Sequence, residues 1–258
     1  MGLTRYSPAA RVLARVFYPY GHVRRVRRGV ARGVRFVVEP GIGLTYAWGA
    51  LDMGLVFLAE RVAPGMTVWD VGANRGQAAL ILAQRVGPSG SVVSIEPVAE
   101  VFRSLARNLK LNGMGHVRAV EAAAAEREGH AVFTFHPARP TQGKLQDVET
   151  TYTNPDARHI EVRTRTLDGL LEEGPPPAIV KIDVEGAAGA VLGGASRLLG
   201  NVRPKIYIEL HGPDEQAAVR ALVRRAGYRA ETTTGIAVLD PAAVNTLWCV
   251  PVEASSCP

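Results

Sequence analysis

Short apolar runs alternate with amphipathic stretches over most of the chain after residue 66. Short apolar runs predict buried strands, and a period of about 3.6 residues predicts helices packed on them. The predicted strands are 67–71, 91–95, 116–122, 131–136, 179–183 and 205–210, and the predicted helices are 77–86, 98–111, 185–199 and 214–226. A strand–helix order repeated in this way is typical of an α/β fold with a Rossmann-like, doubly wound, mostly parallel sheet.

Two regions depart from this alternation. Segments 228–234 and 246–252 have strand character, and we expect them to form an antiparallel pair that closes the sheet. Residues 137–158 are polar and rich in Thr, Asp and Pro, which predicts a long loop. Loops of that length are usually functional or disordered.

The charge is concentrated at the N-terminal end of the chain. The net charge is +6, and residues 1–36 contain nine Arg and no acidic residue. We expect residues 1–45 to form a basic, helical extension acting as a cap or lid, and residues 46–258 to form the α/β domain. The extension is either a solvated helix face or a surface for an anionic partner such as a phosphorylated substrate, an acidic carrier protein or membrane headgroups.

Segment 40–59 is apolar and carries Asp52 as its only charge. Pro40 and four glycines argue against a lipid-facing helix, so we expect a helix packed on the sheet. Arginines interrupt the first residues and disfavour a secretory signal. Cys249 and Cys257 are the only cysteines, so they provide no disulfide framework or metal cluster. We therefore expect a cytoplasmic protein, with peripheral membrane contact through the extension as an open alternative.

The turn after the first predicted strand, residues 70–76, has the character of a nucleoside-binding site. Gly72 and Gly76 permit a sharp turn and close approach of the backbone to a ligand. A dinucleotide fingerprint requires Gly where Asn74 stands, and Asp70 at the strand end disfavours a pyrophosphate. With Ala73 between them, these residues predict a site for a nucleoside with a cationic amino-acid or sulfonium group.

Two carboxylates follow at the next strand ends. Glu96 lies twenty residues after Gly76, precedes Pro97 and is placed to accept both ribose hydroxyls. Glu121, which ends the third predicted strand, is a candidate for the adenine edge.

Several segments in order resemble the FkbM-type methyltransferases, a branch of the class I methyltransferase fold. They are 70–76, 96–97, 108–112, 166–168, 180–187, 191–195 and 207–211. The resemblance implies S-adenosylmethionine as methyl donor and a hydroxyl acceptor on a sugar, glycolipid, polyketide or related metabolite. Ala188 stands where the family usually has Glu, and Asp52 where a Glu commonly precedes the first strand.

Methyl transfer from a sulfonium is an in-line displacement, and a hydroxyl acceptor benefits from a base beside the donor. The later strand ends offer four candidate catalytic residues: Lys181, Asp183, Glu209 and His211. His211 is the preferred base because its ordinary pKa leaves it largely neutral at physiological pH. Asp183 could orient the acceptor or be the base itself, and Lys181 could neutralise it.

Asp183, Glu209 and His211 could also hold a divalent ion, but we favour a mechanism without metal. Glu185 and Arg75 are candidates for binding the acceptor.

Two other functions are open from the sequence. One is an NAD-dependent oxidoreductase on a similar sheet, and the other is a non-catalytic module that binds membranes or carriers through the extension. Nucleic acid is not an expected partner despite a pI near 9.6, because the strand-end motifs lack aromatic platforms.

Overall fold

The computed structural model describes residues 19–39, 44–47, 49, 53–136, 139–145, 156–231 and 246–252. The strands are β1 (Val23–Arg25), β2 (Arg35–Val37), β3 (Thr67–Val71), β4 (Ser91–Glu96), β5 (Val117–Glu121), β6 (Ala123–Ala124), β7 (Gly129–His136), β8 (Arg139–Leu145), β9 (Arg158–Arg165), β10 (Ile179–Asp183), β11 (Lys205–Glu209), β12 (Tyr228–Glu231) and β13 (Thr246–Pro251). The α-helices are α1 (Leu44–Ala47), α2 (Met53–Arg61), α3 (Gln77–Val86), α4 (Ala99–Leu111), α5 (Leu167–Leu170), α6 (Ala188–Gly193) and α7 (Pro213–Arg225).

The central sheet has seven strands in the order β12-β13-β11-β10-β3-β4-β5. Neighbours are parallel from β5 to β11, whereas β13 runs antiparallel to both β11 and β12. The doubly wound sheet and its antiparallel closing pair are therefore confirmed. The strand order reverses at β3, so the topological switch point lies between β3 and β10, where ligands bind in open α/β sheets.

Side chains alternate between the two faces of this sheet, as the strand period requires. Trp69 and Val71 pack in one core with apolar residues of α5, α6 and α7, while Val68 packs in another with α2 and α3. Both faces are thus covered, which explains why the strands are continuous apolar runs instead of alternating ones.

Part of the expected loop at 137–158 is a strand. Residues Arg139–Leu145 form β8, which pairs antiparallel with β7 in a second sheet of order β6-β9-β7-β8. Gly143 permits this pairing because a Cβ there would overlap the ring of Phe133. Leu145 is buried with Phe133 in a small core, which outweighs the polar composition of the segment. Residues 137–138 and 146–155 lie outside the described residues.

The described part of the N-terminal extension is a β-hairpin, whereas we expected a helix. β1 and β2 pair antiparallel, and Gly29 and Gly33 have positive φ between them. Val34 and Phe36 are buried on either side of the exposed Arg35, as in a strand, and Val37 and Val38 are buried as well. The expectation of a helix was wrong for these residues because the period was misread, and residues 1–18 lie outside the described part.

The helix expected over 185–199 is shorter than predicted. α6 spans only Ala188–Gly193, and a π-helical turn follows at Leu198–Val202. Gly186 has φ of +73°, a left-handed conformation that prevents the helix from starting at Glu185.

The apolar segment 40–59 contains two helices within its described residues, α1 and most of α2. Leu58 of α2 is fully buried in the core formed with β3 and β4, as expected of a helix packed on the sheet. Among the described helices, none has the length and apolar character needed to cross a bilayer.

Candidate functional site

A cleft of about 210 Å³ opens at the switch point of the sheet. Its walls come from the ends of β3, β4 and β10, from the segment after β5, and from β7 and β8 of the second sheet. The lining residues are Val71, Gly72, Asn74, Ile95, Glu96, Pro97, Ala122, Ala123, Ala124, Phe133, Gly143, Leu145, Asp183, Val184, Glu185 and Ala187.

The turn after β3 is held against both neighbouring strands. The amide of Gly72 donates to the carbonyl of Ile95 at 3.0 Å, and Gly72 has φ of +78°. A Cβ at Gly72 would overlap the carbonyl oxygen of Asp183, so only glycine fits there. Asn74 also adopts the left-handed region, with φ of +52°. The turn can therefore pack its backbone directly against the end of β10 at the cleft wall.

Glu96 ends β4 with its carboxylate fixed by the backbone. Its Oε2 accepts from the amide of Asn74 and its Oε1 from the amide of Val98, each at 3.0 Å. Burial raises the pKa of Glu96 to about 7, although the two amide hydrogen bonds oppose that rise. A buried carboxylate with remaining acceptor capacity, in the wall of a cleft, suits paired hydroxyl donors such as those of a ribose.

Lys181 lies between two carboxylates on the other side of the turn. Its Nζ is 3.1 Å from Oδ1 of Asp70 and 3.3 Å from Oδ2 of Asp183. Burial raises the pKa of Asp70, which is fully inaccessible, and the Lys181 ammonium opposes that rise. Burial also disfavours the charge of Asp183, but Lys181 and His211 outweigh it and lower the pKa of Asp183 to about 2. Lys181 thus keeps an anionic side chain at the cleft wall.

His211 follows β11 and reaches the same wall. Its Nε2 is 3.3 Å from Oδ1 of Asp183, and its Nδ1 is 3.4 Å from Oε2 of Glu185. The hydrogen bond to Asp183 raises the pKa of His211, and the charge of Glu185 adds to the rise, while burial opposes it. Glu215 of α7 fixes the backbone here by accepting from the amides of His211 and Ala188, at 2.7 and 2.9 Å.

The structure brings together most of the residues singled out from the sequence. Six of them line the cleft: Gly72, Asn74, Glu96, Pro97, Asp183 and Glu185. Another six support it, as turn residues, buried ion-pair partners or neighbours of the β10 and β11 ends: Asp70, Ala73, Gly76, Lys181, Glu209 and His211.

Two predicted site residues lie elsewhere. The side chain of Glu121, although it sits opposite Glu96 in the β4–β5 register, is exposed and outside the lining. Arg75 turns away from the cleft lining and forms a salt bridge of 2.5 Å with Glu39.

Sequence reasoning missed the wall formed by 122–124, Phe133, Gly143 and Leu145. Ala122, Ala123 and Ala124 belong to a run of four alanines that ends at Ala125. Such small residues directly after a strand end leave room for a planar ligand. The alanine run was therefore the sequence feature that could have indicated this wall. β8 had no such signal, because its apolar contact depends on a partner strand.

The cleft fits a nucleoside methyl donor on its own geometry. Gly72 lets the turn pack closely against the Asp183 carbonyl at the cleft wall, Glu96 offers carboxylate oxygens to hydroxyl groups, and the alanines and Phe133 provide an apolar wall. Within the described ranges, no three His, Cys, Asp or Glu side chains are arranged to hold a metal ion.

Comparisons with curated proteins identify methyltransferases as relatives. Hexuronic acid methyltransferase AglP of Haloferax volcanii is 27% identical over 178 residues, which cover 68% of this chain and 69% of that protein. Methyltransferase 1 of Beauveria bassiana is 23% identical over 176 residues, which cover 62% of this chain and 70% of that protein.

Solved structures with the same fold are methyltransferases too. Methyltransferase FkbM from Methylobacillus flagellatus matches with a TM-score of 0.51 and 18% identity over 80% of this chain, which spans about half (46%) of that chain. A SAM-dependent O-methyltransferase from Thermotoga maritima matches with a TM-score of 0.51 and 13% identity, covering 91% of this chain and 79% of that one.

The family model of the methyltransferase FkbM domain matches residues 70–230, which include β4, β5, β10 and β11, the end of β3, most of β12 and all the lining residues of the cleft. The chain therefore belongs to the FkbM family of S-adenosylmethionine-dependent methyltransferases.

Proposed function

We propose that the protein transfers a methyl group from S-adenosylmethionine to a hydroxyl of a sugar or related polyhydroxylated metabolite. The observation that carries this proposal is the shared cleft: Glu96, suited to a ribose, and the Asp183–His211–Glu185 group line or border the same cavity. A donor site and a proton acceptor are thus within reach of one acceptor molecule.

Bound S-adenosylmethionine supplies an electrophilic methyl group on its sulfonium. Holding donor and acceptor in line is the main task of the protein, and such positioning can contribute roughly 7–11 kcal/mol. The turn at Gly72 and Asn74 and the carboxylate of Glu96 fix the donor. Asp183 and Glu185, both in the cleft wall, are placed to orient the hydroxyl groups of the acceptor.

His211 is the proposed base. Methyl transfer would form the oxygen–carbon bond as the carbon–sulfur bond breaks and S-adenosylhomocysteine leaves, and the unprotonated ring nitrogen of neutral His211 would take the proton of the acceptor hydroxyl. The resulting imidazolium is stabilised by Asp183 and Glu185, whose carboxylates lie 3.3 and 3.4 Å from the ring nitrogens. The two carboxylates therefore favour the state of His211 that the reaction produces.

A sugar acceptor is supported by the relative from Haloferax volcanii, which is described as a hexuronic acid methyltransferase. The carboxylates of the cleft wall suit the hydroxyl donors of a sugar, whereas the carboxylate of a hexuronic acid would have to lie away from them. Contact of the basic extension with a glycolipid membrane or an acidic carrier stays a prediction.

Methyl transfer from isotopically labelled S-adenosylmethionine tests this function, with hexuronic acids, neutral sugars, glycolipids and polyketide extracts as acceptors. We expect base-stable label, typical of ethers, in a sugar-type acceptor, and micromolar to millimolar S-adenosylhomocysteine binding by calorimetry. Label only on nitrogen or carbon would overturn the hydroxyl assignment, and NAD binding tighter than S-adenosylhomocysteine would overturn the donor.

A further inference from the structure

We infer that Glu39, in the basic extension, is a positioning residue for the methyl-donor site: it holds Arg75, and Arg75 holds the turn that presents Asn74 to Glu96. The inference rests on the proposed function, because it assigns a role to residues beside the donor cleft. It places Arg75 in support of the donor and not in contact with the acceptor.

Glu39 follows β2 and enters a nearly enclosed polar cluster. Its Oε2 is 2.5 Å from Nη1 of Arg75, its Oε1 accepts from Ser104 at 3.1 Å, and it also contacts the exposed Arg107. The side chains of Arg75 and Glu39 are only 7% and 13% exposed. A buried guanidinium needs charged partners. Glu39 forms a salt bridge with Arg75, and the charges of Glu100 and Glu96 add to it.

A second link joins the hairpin to the same turn. Asn108 of α4 is buried; its Oδ1 accepts from the amide of Val37 and its Nδ2 donates to the carbonyl of Arg75, each at 3.0 Å. The extension therefore holds both the side chain and the backbone of Arg75. One contact is ionic and the other is neutral, so they can be tested separately.

The effect on the donor site follows from chain connectivity. Asn74 precedes Arg75, has left-handed backbone geometry, and donates its amide to Glu96 at 3.0 Å. A non-glycine residue keeps that geometry only when its surroundings enforce it. Loss of the Glu39 contact leaves the Asn108 hydrogen bond to hold the Arg75 backbone, and we expect this to loosen the Asn74 amide and weaken one of the two hydrogen bonds that orient Glu96.

Three variants test the inference: Glu39→Ala, Glu39→Gln and, as a control, Arg107→Ala. Arg107 also contacts Glu39 but is 51% exposed, so it makes a solvent-screened pair. We expect Glu39→Ala to weaken S-adenosylhomocysteine binding and raise the KM for S-adenosylmethionine by about tenfold, with kcat at saturating donor and the acceptor KM within about twofold. The loss of donor affinity in Glu39→Gln should be smaller than in Glu39→Ala. Arg107→Ala should bind the donor with wild-type affinity.

Unchanged donor affinity in a folded Glu39→Ala protein, or equal losses in donor affinity and kcat, would overturn the inference. If Glu39→Ala does not fold, the same comparison of donor affinity with kcat is made on Glu39→Gln and Ser104→Ala. Failure of the wild-type protein to bind S-adenosylhomocysteine would instead overturn the proposed function, so the two failures are distinguishable.

Discussion

Glu96 combines burial with hydrogen bonds that leave part of its acceptor capacity free. Glu96 is only 6% exposed, and burial raises its pKa to about 7. Because ribose hydroxyls donate to the charged form, binding of the donor should lower the pKa of Glu96 and release a proton near neutral pH.

We expect Glu96→Gln to weaken S-adenosylhomocysteine binding by roughly 10- to 100-fold, since a hydrogen bond to a charged group contributes about 1.5–3 kcal/mol. Glu121→Gln is the matched control, because Glu121 is opposite Glu96 in the register but exposed. Calorimetry measures both. Equal effects in the two variants would contradict the assigned role of Glu96.

The same residue predicts a pH dependence of donor binding. Above pH 7 Glu96 is charged in the free protein, and below it the group is protonated, so affinity for S-adenosylhomocysteine should rise as pH increases through about 7 and then level. Titrations in buffers of different ionisation enthalpy should detect proton release on binding at pH 6.5. Glu96→Gln should abolish both effects.

His211 predicts a second pH dependence, this time of kcat. The proposed base must be neutral, and Asp183 and Glu185 raise the pKa of His211, so kcat should increase with pH through a value above the ordinary histidine range. Glu185→Gln removes one of these charges and should move the increase in kcat to lower pH. An increase in kcat at the same pH as in the wild type would contradict His211 as the base.

Replacement of His211 tests whether this residue acts on the acceptor and not on donor binding. His211→Asn should lower kcat by about 10²- to 10⁴-fold and leave S-adenosylhomocysteine affinity unchanged, because the residue acts on the acceptor proton. His130→Asn, at an exposed position of β7, is the control. Substantial activity in His211→Asn would favour Asp183 as the base.

At the scale of elements, the sequence was most informative where strands are buried on both faces. β3, α3 and β10 have the bounds expected from the sequence, because apolar continuity and flanking glycines are local signals. β8 and the hairpin β1–β2 were missed, since their apolar contacts come from partner strands distant in sequence. Within the site, the motif residues were predictable, whereas the Phe133 wall and the turning of Arg75 toward Glu39 depend on tertiary contacts.

The contact between the β3 turn and β10 predicts a distinct stability effect. Gly72→Ala would suffer both left-handed strain and overlap with the Asp183 carbonyl, whereas Gly113→Ala would suffer the strain alone, because nothing lies within 4 Å of its added Cβ. We expect Gly113→Ala to lower the free energy of unfolding by about 1–2 kcal/mol. Gly72→Ala should lower it by roughly 1–3 kcal/mol more. Urea denaturation checks the difference, and equal losses would contradict the close approach.

At the scale of the whole molecule, the extension and the donor cleft should be thermodynamically linked. If docking of the hairpin supports donor binding, then donor binding must support docking of the hairpin by the same factor. Arg25, Arg28 and Arg32 are exposed on this hairpin and provide tryptic sites.

Saturating S-adenosylhomocysteine should therefore slow tryptic cleavage at these arginines by roughly tenfold. This is the same factor by which we expect Glu39→Ala to weaken donor binding. Cleavage at Arg224 and Arg225, exposed at the end of α7, serves as the internal control. Protection should be lost in Glu39→Ala. Equal protection at both regions would indicate global stabilisation and contradict the linkage.

The second sheet, β6-β9-β7-β8, has a consequence for how this enzyme could acquire new acceptors. It adds Phe133, Gly143 and Leu145 to the cleft wall, but its strands form no ladder with those that carry Glu96 and Asp183. Phe133 and Leu145 can therefore be exchanged without altering the register of the central strands, whereas Gly143 has no room for a Cβ beside Phe133. Libraries restricted to this wall would vary the shape of the cavity that methyl donor and acceptor share, so the S-adenosylhomocysteine affinity of each variant should be measured beside its acceptor selectivity.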